Sequence, residues 1–319
     1  MEKAMKISVL DAETLGADLD LAPLQALGEL TVYANTPPDR VAERLANTDI
    51  AVINKVRVGE SVLAGNTRLA MIAECATGFD NIDLDACRKR GIAVANVRGY
   101  STDSVAQVTV AMALSLCTHL PAFSGAVADG SYTRGGVANR LTPIYHEIAG
   151  KTWGIIGYGH IGARVGAVAA ALGCRVMAFA KSPKTGVENV DLHTLCREAD
   201  ILSVHLPLTP ETRGIIGERE IALMKSNAVF INVARGAVTD EVALAKAVAE
   251  GRLGGIGVDV YSVEPFPETH PFYAIRHLDN VCLTPHMAWG AQEARNRCLS
   301  EIATNIVAFL RGERRNRVD

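Results

Sequence analysis

Residues Thr152 to Gly157 form a short apolar strand that runs straight into Gly157-Tyr158-Gly159-His160-Ile161-Gly162, followed by an alanine-rich helical stretch to Gly173. Nothing else in the chain narrows the fold as much, because a strand, a glycine turn and a helix start in this order belong to an open parallel sheet. One glycine makes the tight turn, a second lets backbone N–H groups approach a pyrophosphate, and a third lets helix and strand pack directly. The helix N-terminus then presents unpaired donors and partial positive charge to an anion. The pattern predicts dinucleotide contacts at Gly157, Gly159, His160, Ile161 and Gly162. Such turns also arise for packing alone, so the assignment depends on the rest of the chain.

At 319 residues the chain is long for a single core and comfortable for two domains. A net charge of -3 provides no broad basic field for nucleic acid. Charges are scattered except for the run from Arg311 to Arg317, read as a solvated tail. The seven cysteines, Cys75, Cys87, Cys117, Cys174, Cys196, Cys282 and Cys298, stand apart without a CxxC pair or metal-ligand spacing. Reduced thiols and no metal site are expected. Met1 to Leu10 reads as a segment leading into a first strand, without a secretory leader's long apolar core. No apolar run reaches the roughly 18 residues needed to span a bilayer. A cytoplasmic protein without membrane partners is expected.

Strand-like runs at Lys6–Leu10, Ile50–Ile53, Ala70–Glu74 and Ala93–Val97 alternate with helix-length segments, which is the α/β signature. A nearly continuous apolar helix follows from Asp103 to His119, capped by Ser101 or Asp103 and stopped by Pro121. A second series of strands falls at Trp153–Ile156, Arg175–Ala180, Ile201–His205, Ala228–Val233, Ile256–Val260 and Val281–Thr284. These describe a doubly wound parallel sheet. The last helix, Gln292 to Leu310, lies beyond that sheet and can return to the first domain. The expected division is 1–102 with 291–319 against 103–290, and Gly99–Thr102 and Gly290–Gln292 are hinge candidates. The segment Ala122–Glu147 is too long for an idle loop and suggests a dimer contact.

Ligands of an open parallel sheet sit outside the carboxyl ends of its strands. Arg235 leaves the strand Ala228–Val233 at that edge, where its guanidinium suits a carboxylate. A surface ion pair is its ordinary alternative. Asp259 and Glu264 follow the strand at Ile256, and the alternatives are a loop cap for Asp259 and an exposed acid for Glu264. His286 follows the strand at Val281, and an imidazole beside a carboxylate suits proton transfer to a ketone oxygen. The other histidines, including His193 and His270, have no companion acid at a motif-like spacing.

The ordered segments GYGHIG, HLPLTPET, NVARG, GVDVYSVEP and TPHMAWG resemble the D-2-hydroxyacid dehydrogenase family along essentially the whole chain. NKV at Asn54, ATGFDNID at Ala76 and GYSTDSVAQ at Gly99 are most similar to its glycerate dehydrogenase or hydroxypyruvate reductase branch. The resemblance implies a Rossmann nucleotide-binding domain inserted into a discontinuous flavodoxin-like substrate domain, both doubly wound. It implies that Arg235 binds and polarises substrate, that His286 is the acid/base and that Glu264 is its partner. It places cofactor contacts at Thr77, Leu206, Val233, Ala234, Asp259, His286 and Ala288 as well as the glycine turn. Substrate contacts fall at Lys55, Ala76, Gly78, Arg235 and His286. Where an NAD unit ends its second strand in an acid, this chain has Ala180-Lys181-Ser182. NAD(P) is therefore the expected cofactor, leaning to NADP, although Lys181 is equally a solvated charge. The implied activity is glyoxylate or hydroxypyruvate reduction. Substrates of D-lactate or 3-phosphoglycerate type remain open, as does a non-catalytic nucleotide sensor of the corepressor kind. A homodimer is the implied assembly.

Overall fold

Twelve strands among the described residues form two parallel sheets, and the chain divides with them into two compact units. In this computed structural model, which describes residues 4–319, one unit runs to Ser101 and resumes over Gly290–Asp319, and the other is Thr102–Trp289. Residues 1–3 of the segment read as leading into the first strand lie outside the described residues.

The first unit contains β1 (Lys6–Val9), β2 (Glu29–Val32), β3 (Ile50–Ile53), β4 (Met71–Glu74) and β5 (Ala93–Ala95), in the order β2-β1-β3-β4-β5. This is the flavodoxin-like order. β3 and β4 are buried at every position, as strands covered on both faces must be, with the acid Glu74 closing the apolar run of β4. β2 was not foreseen, because an edge strand with mostly exposed side chains carries no apolar run. Its backbone pairing to β1, with Leu30 opposite Ile7, places it there.

Helix Gln292–Leu310 completes this unit, burying Ala294, Cys298, Leu299, Ile302 and Ile306 on one face. Fully buried Asn305 donates from Nδ2 to the Asn96 carbonyl at 3.0 Å and accepts at Oδ1 from Asn316 Nδ2 at 3.0 Å. The expectation of a solvated Arg311–Arg317 tail holds for Arg311 to Arg314, which are exposed, and is corrected for Arg315 to Arg317, which are half-buried. Arg315 pairs with Glu301 at 2.5 Å, Arg317 pairs with Asp319 at 2.5 Å, and the Val318 N–H donates to the Val94 carbonyl of β5.

The second unit contains β6 (Thr152–Ile156), β7 (Arg175–Phe179), β8 (Glu188–Asn189), β9 (Ile201–Val204), β10 (Val229–Asn232), β11 (Gly255–Val258) and β12 (Val281–Leu283). Their order, β12-β11-β10-β9-β6-β7-β8, is the Rossmann order extended by one strand. Sequence missed only the two-residue β8, held in register by Met177 opposite Glu188. Helix Thr102–Thr118 buries Val105, Met112, Ala113 and Leu116 in one core with Trp153, Ile155 and Ile231.

Pro121 does not end the helical segment, contrary to expectation. His119 breaks it at φ 50°, and a new helix, Leu120–Ala128, begins with Pro121 in its first turn, where a missing N–H costs nothing. A further helix, Ser131–Gly135, occupies part of the stretch read as a loop. No single helix among the described residues is long and apolar enough to cross a membrane.

Candidate active site

The turn after β6 has the geometry that its glycines predict. Gly157 has φ +94°, and a Cβ there would lie 2.8 Å from the His205 backbone. A Cβ on Gly162 would lie 2.2 Å from the Gly157 carbonyl oxygen, so the helix His160–Ala171 can approach its strand only with glycine at that position. At Gly159, the N-cap of that helix, an added Cβ would meet no protein atom within 4 Å, and no side chain caps the helix. An open cradle at an uncapped helix N-terminus fits a dinucleotide pyrophosphate.

At the carboxyl end of β7, Ala180 is half-buried, while Lys181 and Ser182 are exposed. Hydrogen bonding to the Thr209 hydroxyl, helped by the charge of Lys181, holds the Glu211 carboxyl below its usual range. Leu206 follows β9 as a half-buried residue, Val233 is buried beyond β10, and Ala234 donates its N–H to Asn232 Oδ1.

Three loops carrying reactive side chains leave adjacent strands β10, β11 and β12. The Arg235 turn is shaped by buried Asn232, which donates from Nδ2 to the Arg235 carbonyl at 3.0 Å. Arg235 Nη1 donates to the Ala234 carbonyl at 2.9 Å. Gly236 then presses its α-carbon against the next loop, where a Cβ would lie 2.0 Å from the Tyr261 carbonyl carbon. In that loop Glu264 Oε1 accepts the Tyr261 N–H at 3.0 Å. Tyr261 donates its hydroxyl to the Thr284 carbonyl at 2.8 Å, tying the Glu264 loop to the His286 loop.

His286 Nδ1 and Glu264 Oε2 are 2.6 Å apart, with side chains 21% and 29% exposed. Such a short contact is that of a charge-assisted hydrogen bond. The backbone of His286 adopts φ 52°, a left-handed conformation that costs a non-glycine residue strain on the order of 1–3 kcal/mol. The surrounding contacts impose it. Asp259, 1% exposed, accepts from Thr284 Oγ1 at 2.6 Å, from the Met287 N–H at 2.8 Å and from the Ala288 N–H at 3.0 Å. Burial pushes the Asp259 carboxyl up, opposed by these three donors. Asp259 is thus a brace for the His286 loop, and Ala288 is further held by Ser104, which donates to its carbonyl at 2.6 Å.

The remaining candidates, Lys55, Ala76, Thr77 and Gly78, belong to the first unit and follow β3 and β4. Thr77 donates its hydroxyl to the Val97 carbonyl at 2.7 Å. Asp11, buried at the end of β1, accepts the N–H groups of Asn54, Lys55 and Val56 and so fixes the Lys55 loop. Asn81 Nδ2 joins that loop to the Ala76–Gly78 loop by donating to the Val56 carbonyl and to Glu74 Oε2, both at 3.0 Å. Asp11, Glu74, Asn81 and Asn232 were not singled out in the sequence, where only the places of Asn81 inside ATGFDNID and Asn232 inside NVARG hint at two of them.

Two histidines set aside for want of a nearby acid have one in space. His193 lies 3.2 Å from Glu220, and His270 lies 3.1 Å from Glu241. Sequence separations of 27 and 29 residues concealed both pairs.

A family model described as D-isomer specific 2-hydroxyacid dehydrogenase, NAD binding domain, matches residues 110–288. The glycerate dehydrogenase of Methylorubrum extorquens is 35% identical over 98% of this chain and 99% of its own length. The hydroxypyruvate reductase of Blautia hydrogenotrophica is 34% identical over 97% of this chain and 98% of its own. Among solved structures, an acyclic imino acid reductase (Bsp5) in complex with NADPH and D-Arg superposes with TM-score 0.88 at 28% identity, covering 99% of this chain and 100% of that one. From the glycine cradle, the two parallel sheets and these full-length likenesses, the chain belongs to the D-isomer specific 2-hydroxyacid dehydrogenases.

Proposed function

We propose that this oxidoreductase interconverts glyoxylate with glycolate, or hydroxypyruvate with D-glycerate, with Arg235, Glu264 and His286 carrying the chemistry. The names of the glycerate dehydrogenase and hydroxypyruvate reductase relatives support that substrate choice. One observation carries the residue assignment: the 2.6 Å contact of His286 Nδ1 with Glu264 Oε2.

A nicotinamide bound beyond the glycine turn supplies hydride chemistry, which no side chain of the protein offers. With Nδ1–H donated to the Glu264 carboxylate, His286 is left with Nε2 as the atom that gives a proton to the ketone oxygen. In the oxidative direction Nε2 takes that proton back. Glu264 fixes the ring orientation and opposes the positive charge of the protonated ring. Arg235 grips the substrate carboxylate with its forked donors. Together the proton and the hydride convert the carbonyl to CH–OH.

The cofactor reading leans to NADP. Ala180 removes the acid that would repel a 2′-phosphate, and Lys181 and Ser182 stand exposed beside it. Glu211 draws on the same Lys181 charge, which tempers that preference. Seven free cysteines among the described residues suit a reducing compartment and support a cytoplasmic location. Leu141, Ile144 and Val137, exposed at 70%, 74% and 63%, support a homodimer.

Steady-state reduction of glyoxylate, hydroxypyruvate and pyruvate, each with NADH and NADPH, tests the proposal. The expected result is higher kcat/KM for the first two acids and for NADPH. A preference for pyruvate or for a phosphorylated ketoacid would replace the substrate assignment, and a preference for NADH would overturn the reading of Ala180 and Lys181. Cofactor binding with no turnover of any ketoacid would favour a corepressor-like sensor.

A further inference from the structure

Beneath the Glu264 loop lies a buried acid–imidazole pair that takes no part in the mechanism above. Glu241, at the start of helix Glu241–Ala249, is 9% exposed, and His270 is 8% exposed. Every acceptor bond of Glu241 serves the neighbouring loop or the imidazole. Its Oε1 accepts the Ser262 N–H at 2.9 Å, its Oε2 accepts the Ser262 hydroxyl, and His270 Nε2 lies 3.1 Å from Oε2.

His270 has a fixed tautomer. Its Nδ1 accepts the Phe272 N–H at the start of helix Pro271–Ile275, so Nδ1 carries no proton and Nε2–H must donate to Glu241. The ring also packs between aromatic residues on both sides of Glu264. Its centroid lies 6.0 Å from that of Tyr261 and 4.9 Å from that of Phe266, and those two rings meet edge-on at 4.6 Å. Tyr261 in turn reaches the Thr284 carbonyl, which also accepts the His286 N–H at 3.0 Å. From above, Gly236 seats the same Tyr261–Ser262 peptide against the Arg235 turn.

We propose that Glu241 and His270 form a positioning pair for the reaction: by holding the Ser262 backbone and the Tyr261 and Phe266 rings, they set the approach of Glu264 to His286. This rests on the catalytic reading of Glu264 and His286. Neither Glu241 nor His270 touches reacting atoms. Their effect reaches the chemistry because general acid transfer tolerates little misplacement, and an error of about 1 Å costs on the order of a hundredfold. Breaking a buried carboxylate network also leaves unsatisfied donors behind, which would let the loop shift to find water.

A double-mutant cycle tests the pair. Glu241→Ala should lower kcat for ketoacid reduction by about 10- to 100-fold, with the nicotinamide cofactor's Kd, read by fluorescence titration, unchanged within about twofold. In a Glu264→Gln background the same substitution should cost less than about threefold, because the residue through which it acts is already disabled. Glu241→Gln keeps an acceptor for the Ser262 N–H and should restore most of kcat, which also covers the case in which the alanine variant folds poorly. Equal losses in both backgrounds, or a wild-type kcat in Glu241→Ala, would overturn the positioning role alone. Absence of ketoacid turnover in the wild-type protein would instead overturn the catalytic reading beneath it.

Discussion

At the scale of single residues, His286 and Glu74 make opposite demands on the proton. In the proposed mechanism His286 exchanges one at Nε2, while Glu264 Oε2 lies 2.6 Å from Nδ1. His286→Ala should lower kcat by about a hundred- to ten-thousandfold, while cofactor affinity changes by less than about threefold; single-turnover rates and a fluorescence titration on one preparation measure both. Glu74 must keep its proton. It is fully buried, Oε2 is taken by Asn81, and Oε1 has no partner. Burial above all, with the nearby Asp11 charge, pushes its carboxyl well above the ordinary range of a glutamate. A carboxyl whose pKa is raised by folding binds its proton more tightly in the native state. Its contribution to stability is therefore complete below the unfolded value and is lost as pH rises through the folded one. The Tm of the wild type should accordingly fall relative to that of Glu74→Gln as pH rises above the ordinary carboxylate range. A pH-independent difference would show that Glu74 is ionised in the fold.

Elements place these groups by ending at one edge. β10, β11 and β12 are adjacent and parallel, so Arg235, Glu264 and His286 all emerge at carboxyl ends, and the Tyr261 hydroxyl and the Asp259 carboxylate tie the last two loops together. At the end of β7 stand Ala180 and Lys181, on which the proposed cofactor choice rests. Ala180→Asp should restore an acceptor for a ribose diol and repel a 2′-phosphate, shifting the NADPH to NADH ratio of kcat/KM by about tenfold or more towards NADH. An unchanged ratio would mean that the β7 terminus does not contact the ribose.

For the whole molecule, assembly follows from surface that the fold leaves uncovered. The segment carrying Leu120, Val127, Val137, Leu141 and Ile144 exposes large apolar side chains close together in sequence. The proposed homodimer predicts that the wild type sediments as a dimer and a Leu141→Asp, Ile144→Asp variant as a monomer, a difference that analytical ultracentrifugation reads directly. What the sequence determined by itself was everything written in local periodicity: the buried strands β3, β4, β6 and β9, the glycine turn, the final helix, and the strand-end positions of Arg235, Glu264 and His286. These are legible because a continuous apolar run or a required glycine depends on immediate neighbours. β2 and the Arg315–Asp319 tail were not, since an edge strand and a charged tail acquire their partners from distant chain. The same holds for the partners of His270 and Glu74 and for the brace under His286. Pairing across 29 residues, or an oxygen left without a donor, exists only once helices and loops have packed, so tertiary structure alone decided that His193 meets Glu220 and His270 meets Glu241.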